Sequence, residues 1–340
     1  MRAAVFHGGG KPLSIENVPD PVAGPGELLV KVAGCGVCHT DLHYLDHGVE
    51  TAHPPPLILG HEISGTVVGR GPDVQGPADG TAVLLPAVLP CGECSLCRGG
   101  RGNICSKMRM FGNHIDGGFA QWVVAPANAV VPLPPEIPLV DASIIADAIS
   151  TPYHAVVNRA KVRAGEWVVV LGCGGVGINA VQVASALGAQ VIAVDLSEPK
   201  LKVARELGAV ATVNAAETTE LGRAVRAIVK EGADVALEAV GSPKTLLSAL
   251  SAIRRGGRLC LVGYSAESAM LPLNRIMFHE YSLIGSLGCP TEEYPRVIEL
   301  VRHGRVRLSP VITERMPLDR IGEGLDRLRR GEGLRTVIQP

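Results

Sequence analysis

Glu166–Gly188 reads EWVVVLGCGGVGINAVQVASALG, and two periodicities meet in it. Trp167 to Leu171 is a continuous apolar run closed by glycine, the pattern of a strand buried on both faces of a parallel sheet. From Val176 onward the apolar residues recur at helical spacing, and Gly188 stands where a helix stops. Between strand and helix, Gly172, Gly174 and Gly177 form G-x-G-x-x-G. Alone that pattern is weak; in this context it is a dinucleotide-binding fingerprint. The first glycine allows the tight turn, the second lets backbone approach a pyrophosphate, and the third lets helix and strand pack closely. The helix start, Gly175, Val176 and Gly177, then offers unpaired N–H groups and positive dipole to the phosphates.

The same alternation continues downstream. QVIAVD (190–195), DVALEAVG (234–241) and RLCLVG (258–263) read as further strands. SEPKLKVARELG (197–208) reads as a helix with Ser197 at its cap and Pro199 in its first turn. SPKTLLSALSAI (242–253) separates the last two strands. Strands and helices in alternation imply a doubly wound parallel sheet. Asp195 closes the second strand, where a carboxylate bonds ribose hydroxyls and repels a 2′-phosphate. The residues after it, LSEPK, hold no arginine to receive that phosphate, so the expected cofactor is NAD and not NADP.

Residues 1–150 have a different texture. ELLVKVAGCG (27–36), ISGTVVGRG (63–71), GTAVLLPAVLP (80–90) and FAQWVVAPANAVVPLPP (119–135) are short apolar runs broken by Gly and Pro, and this half is expected to be mostly β. At the other end, TEEYPRVIELVRHGRV (291–306) and LDRIGEGLDRLRRGE (318–332) read as helices, and TVIQP (336–340) as a last strand rejoining the first half.

Charge narrows the partners. Lys and Arg number 32 against 33 Asp and Glu, so no basic field exists for nucleic acid or a membrane surface. No window reaches the roughly 18 apolar residues of a membrane helix, and the N-terminus MRAAVFHGGG has no signal-like run. The expected setting is the cytoplasm, where thiols stay reduced. There the nine cysteines, an odd number, are better read as metal ligands than as a disulfide framework.

Cys91, Cys94, Cys97 and Cys105 follow C-x2-C-x2-C-x7-C. Four thiolates complete a closed tetrahedral shell, typical of structural zinc; an iron–sulfur cluster is the competing reading. A second constellation is sparser: Cys38 within GCGVCHTDLH (34–43), and His61 within LGHEISG (59–65). One thiolate and one imidazole suit an open, catalytic zinc site, which needs a third protein ligand.

In this order, GVCHTDLH, GHEISG, the four-cysteine knuckle and VLGCGGVG resemble the zinc-dependent medium-chain alcohol dehydrogenases over essentially the whole chain. The resemblance implies an α/β chain with a GroES-like β-rich catalytic domain (1–150), a Rossmann domain (151–288) and a segment returning to the catalytic domain (289–340). It implies two zinc ions per chain. It places the third catalytic ligand in ADAISTPYHAV, at Asp147, where many members carry cysteine. It makes Glu62 a glutamate that approaches the zinc during ligand exchange. Thr40 is implied to accept the substrate hydroxyl proton, and His43 to pass it to solvent. For the cofactor it implies His39 at the pyrophosphate, Lys200 at the adenosine ribose, and Thr151, Val240 and Val262 at the nicotinamide end.

The implied reaction is reversible hydride transfer between a primary, secondary or cyclic alcohol and NAD, giving an aldehyde or ketone. A polyol substrate on the same scaffold is also open. So is a non-catalytic NAD- and zinc-binding protein, although Thr40 and His43 would then have no reason to accompany the ligands. Ala87 and Met110 are implied to lie near the substrate. A homotetramer, or a dimer, is the expected assembly.

Overall fold

The computed structural model describes residues 1–218 and 220–340 and divides into two compact units. The first comprises Met1–Ser150, Gly288–His303 and Ile312–Pro340; the second comprises Thr151–Leu287 and Gly304–Val311. The segment beginning at 289 is therefore divided, with 304–311 in the second unit.

The second unit is built on six parallel strands in the order Ala209–Asn214, Gln190–Asp195, Trp167–Leu171, Ala233–Glu238, Ile253–Leu261, Ser282–Gly285. Counted along the chain this is 3-2-1-4-5-6, the doubly wound Rossmann arrangement. Val168, Val169 and Val170 have no exposed surface, which is why the run is apolar without alternation. The strand order reverses between Trp167–Leu171 and Ala233–Glu238. Helices Gly177–Ala186, Glu198–Glu206, Leu221–Ile228, Pro243–Ala252 and Leu273–His279 complete the alternation.

Two strands, Ala209–Asn214 and Ser282–Gly285, carry no strong sequence signal because each is largely unburied. Ser197 differs from its expected role. Its side chain makes no capping bond, and its N–H donates to Asp195 Oδ1 at 2.9 Å. Ser242 does cap its helix, accepting the Thr245 N–H at 3.2 Å.

The first unit carries a seven-stranded sheet among the described residues. Its path runs Val131–Pro132, Ala82–Leu85, Glu62–Arg70, Glu27–Gly36, Arg335–Gln339, Ile312–Pro317, with Trp122–Pro126 also pairing Glu27–Gly36. The chain's last strand thus lies antiparallel to Glu27–Gly36, with Val337 opposite Gly36 and Ile338 opposite Cys35. Leu28, Val30, Ile63, Leu85, Phe111, Phe119 and Ile338 form its core. Each such side chain, fully buried, contributes about 1.5–3 kcal/mol. Among the described residues no helix is long and apolar enough to cross a membrane.

Candidate metal centres and dinucleotide cradle

The four knuckle cysteines converge. Cys94 Sγ lies 3.4 Å from Cys97 Sγ and 3.8 Å from Cys105 Sγ; Cys91 Sγ lies 3.4 Å from Cys105 Sγ and 3.8 Å from Cys97 Sγ. Thiolates at tetrahedral corners around one zinc sit about 3.8 Å apart, whereas bridged sulfurs sit about 2.05 Å apart. The spacing fits a metal shell. Local backbone prepares it. The N–H groups of Glu93 and Cys94 bring the Cys91 thiol down to about 6. Cys94 caps the short helix Ser95–Arg98, and the Cys97 N–H and thiol lower its pKa too.

The sparser site is assembled from three places in the first unit. Strand Glu27–Gly36 delivers Cys38 as the N-cap of helix His39–Asp46, and Asp41 Oδ2 accepts the Cys38 N–H at 2.9 Å. His61 and Glu62 stand at the start of strand Glu62–Arg70. Glu62 faces Gly36 across the sheet, where a Cβ would come within 1.9 Å of Glu62 Oε2; glycine leaves the carboxylate its room. Asp147 follows the 3-10 helix Asp141–Ala146, which Arg315 anchors through two bonds to Asp141 of 2.8 and 2.7 Å.

The ligand atoms of Cys38, His61, Glu62 and Asp147 all lie within 4.8 Å of one another. Asp147 Oδ2 is 3.6 Å from His61 Nε2 and 3.9 Å from Cys38 Sγ. His61 Nε2 and both Glu62 oxygens are buried and accept or donate no hydrogen bond. Nε2 has only the looser contact with Asp147 and Oε1 only that with Arg335, while Oε2 has neither, and buried polar atoms so poorly satisfied are costly unless a further cation completes them. Burial disfavours a charged His61, but Asp147 and Cys38 outweigh it and raise its pKa well above the usual value. Burial pushes Glu62 up to about 7, against the pull of Arg335. A soft thiolate, an imidazole and carboxylates form a donor set suited to zinc.

Arg335 is a residue that sequence reading missed. It opens the last strand, is 4% exposed, donates from Nη1 to the Val37 carbonyl at 2.8 Å, and lies 3.4 Å from Glu62 Oε1. An arginine at the head of a terminal strand that carries Val337 and Ile338 was the available signal. It offsets part of the negative charge gathered by Cys38, Glu62, Asp147 and the fully buried Asp41.

On helix His39–Asp46, Thr40 Oγ1 lies 3.7 Å from Cys38 Sγ, His39 is exposed, and His43 Nδ1 lies 2.9 Å from His47 Nδ1. Ala87 is buried, and Met110 pairs with Val88 across a short two-stranded ribbon.

In the second unit Gly172 turns with φ +87°, and a Cβ on Gly177 would come within 1.7 Å of the Gly172 carbonyl oxygen. A Cβ on Gly174 would meet nothing within 4 Å. That open surface between strand and helix is the cradle a pyrophosphate requires. Asp195 Oδ2 accepts the Cys173 N–H at 2.7 Å while Oδ1 accepts that of Ser197, leaving lone pairs for ribose hydroxyls. Lys200 is half-buried, Thr151 is buried, Val262 is half-buried and Val240 is exposed at the end of its strand. Glu238, also missed, holds that last turn: its Oε1 accepts from the Val240 and Gly241 N–H groups and from Thr245 Oγ1.

Residues 24–135 match the alcohol dehydrogenase GroES-like domain family, and residues 175–303 the zinc-binding dehydrogenase family. An alcohol dehydrogenase of Geobacillus stearothermophilus is 35% identical over 98% of this chain and 97% of its own. A sorbitol dehydrogenase of Bacillus subtilis (strain 168) is 31% identical over 100% of this chain and 97% of its own. A crystal structure of an NAD-dependent alcohol dehydrogenase superposes with TM-score 0.93 at 30% identity, covering 100% of both chains. With family matches across both units and likeness over nearly its whole length, the chain belongs to the zinc-dependent medium-chain alcohol dehydrogenases and is a nicotinamide-dinucleotide-dependent oxidoreductase.

Proposed function

We propose that this enzyme oxidises an alcohol to an aldehyde or ketone, reversibly, with NAD as the hydride carrier. The observation that carries this reading is the convergence of Cys38, His61 and Asp147, with buried atoms of His61 and Glu62 that make no hydrogen bond. Cys38, His61 and Asp147 would hold a catalytic zinc, and Cys91, Cys94, Cys97 and Cys105 a structural one. When bound, zinc supplies Lewis acidity that acidifies a hydroxyl, and the nicotinamide ring supplies the hydride acceptor. Glu62, held near Arg335, is the carboxylate available during ligand exchange.

The chain's own part is binding, orientation and proton movement. Thr40 Oγ1 takes the substrate hydroxyl proton. His43, three residues further on the same helix face, carries it onward. His47, exposed and 2.9 Å from His43, is a natural exit to solvent. The Gly172–Gly177 turn, with Lys200 as a further contact, binds the dinucleotide phosphates and ribose. Thr151, Val240 and Val262 border the nicotinamide. Ala87 and Met110 stand near the substrate.

The test is NADH formation with primary, secondary and cyclic alcohols and with polyols, with and without a chelator. No turnover on any of them by enzyme that retains zinc and NAD would sink the reading. Polyols belong in the panel because a sorbitol dehydrogenase is among the full-length relatives.

NAD is assigned over NADP on Asp195. Asp195→Gly is expected to raise the NADP-to-NAD ratio of kcat/KM by about 10–100-fold, since like charges brought together cost several kcal/mol. An unchanged ratio would count against the ribose contact.

A homotetramer, or a dimer, is the proposed assembly, in the cytoplasm. Its support is the edge strand Ser282–Gly285 with Leu283 exposed, beside Leu273, Met277 and Phe278, exposed on the preceding helix. An unpaired edge flanked by apolar surface invites a second copy. Sedimentation equilibrium showing a monomer at micromolar concentration would refute it.

A further inference from the structure

We infer that Tyr294, assisted by Ser150, is a positioning residue that aims the third metal ligand by clamping the peptide between Ala146 and Asp147. The inference rests on the reading of Asp147 as a ligand.

Tyr294 opens helix Tyr294–Arg302 and is one of the largest fully buried side chains of the protein. Its hydroxyl donates to the Ala146 carbonyl at 2.6 Å. The Ser150 hydroxyl, with no exposed surface, donates to the same carbonyl at 3.0 Å and lies 3.3 Å from the phenol oxygen. A carbonyl has two lone pairs, and here both are engaged.

That carbonyl belongs to the peptide plane that contains the Asp147 nitrogen. Fixing its oxygen fixes the amide from which Asp147 departs. The clamp falls where regular structure ends. The 3-10 helix stops at Ala146, and Asp147 has φ −142° and ψ −55°, neither helical nor extended. Arg315 on Asp141 secures the start of that helix, and Tyr294 secures its end.

The phenol oxygen needs a reason to be there. A phenylalanine would bury the same ring without the cost of burying a hydroxyl. The bond to the Ala146 carbonyl uses its proton, while the Ala87 backbone N–H donates to its oxygen, so the hydroxyl is held on both sides as it grips that carbonyl. Partners one step removed from a metal ligand govern its aim, and their loss weakens metal binding by about 10–100-fold.

The test uses full-length enzyme loaded with two zinc ions and an excess of chromogenic chelator, followed as release kinetics. Tyr294→Phe keeps the ring and removes the hydroxyl. It is expected to speed release of the catalytic-site zinc by about 10–100-fold and leave knuckle release unchanged. With cobalt at the catalytic site, the visible ligand-field bands should shift in the same variant. Ser150→Ala should move the same phase by less, and it carries the test if Tyr294→Phe fails to fold.

Wild-type release with an unaltered cobalt spectrum would overturn the clamp. Equal acceleration of both phases would also overturn it, as general loosening. Asp147→Ala separates the two ideas. Two zinc ions retained in Asp147→Ala would refute the ligand reading itself. One zinc lost there, with normal release from Tyr294→Phe, would refute only the clamp.

Discussion

Asp147→Ala is expected to leave one zinc per chain instead of two and to cut kcat/KM by on the order of 10³-fold or more. The magnitude follows from several kcal/mol of Lewis-acid stabilisation at 1.36 kcal/mol per decade. The direction follows from geometry. Asp147 Oδ2 lies close to both His61 Nε2 and Cys38 Sγ, and without it the remaining carboxylate is Glu62, which Arg335 holds at 3.4 Å. The knuckle should keep its ion, since its four sulfurs surround one another and none belongs to the quartet. Asp147→Cys is the control: it restores a ligand of softer character, and metal content should return. Elemental analysis with steady-state kinetics checks both. Two zinc ions retained in Asp147→Ala, with normal turnover, would remove Asp147 from the site.

Gly177→Ala should abolish tight NADH binding and destabilise the second unit by about 1–3 kcal/mol, the usual cost of forcing a methyl into packed space. The added Cβ would sit 1.7 Å from the Gly172 carbonyl oxygen, and both partners are backbone. Neither can move without opening the turn. Gly174→Ala supplies the contrast. Its Cβ meets no protein atom within 4 Å, so the fold should hold while affinity falls only because the methyl occupies pyrophosphate space. NADH fluorescence titration and thermal denaturation separate the two. A Gly177→Ala protein with wild-type affinity would contradict the packing argument, and a Gly174→Ala protein with wild-type affinity would displace the pyrophosphate from that surface.

Much was legible because the relevant residues are neighbours in sequence. The knuckle is one short continuous stretch of chain, Cys91 to Cys105, with Cys94 capping the helix that carries Cys97. The glycine motif reads directly because strand, turn and helix are contiguous. Resemblance reached further, to Asp147, which no local pattern marks. Other features were hidden. Arg335 bonds the Val37 carbonyl 298 positions away, and Tyr294 bonds the Ala146 carbonyl 148 positions away. Tyr294 is core, and nothing local says what its hydroxyl is for. Ser197 shows the reverse error. It has the right type at the right place for a cap, yet Asp195 takes its N–H.

By itself the sequence determined the strand–helix alternation, the dinucleotide turn and a four-thiolate cluster, because each is set by backbone sterics or spacing within a few residues. Tertiary structure decided how charge is arranged around the sparser site. There the Cys38–Asp41 turn, Glu62, Asp147 and Arg335 come from separate segments, and low dielectric makes each one's effect depend on where the others end up. Only folding brings those segments together, so only the fold could show which buried atoms of His61 and Glu62 stand ready for a cation.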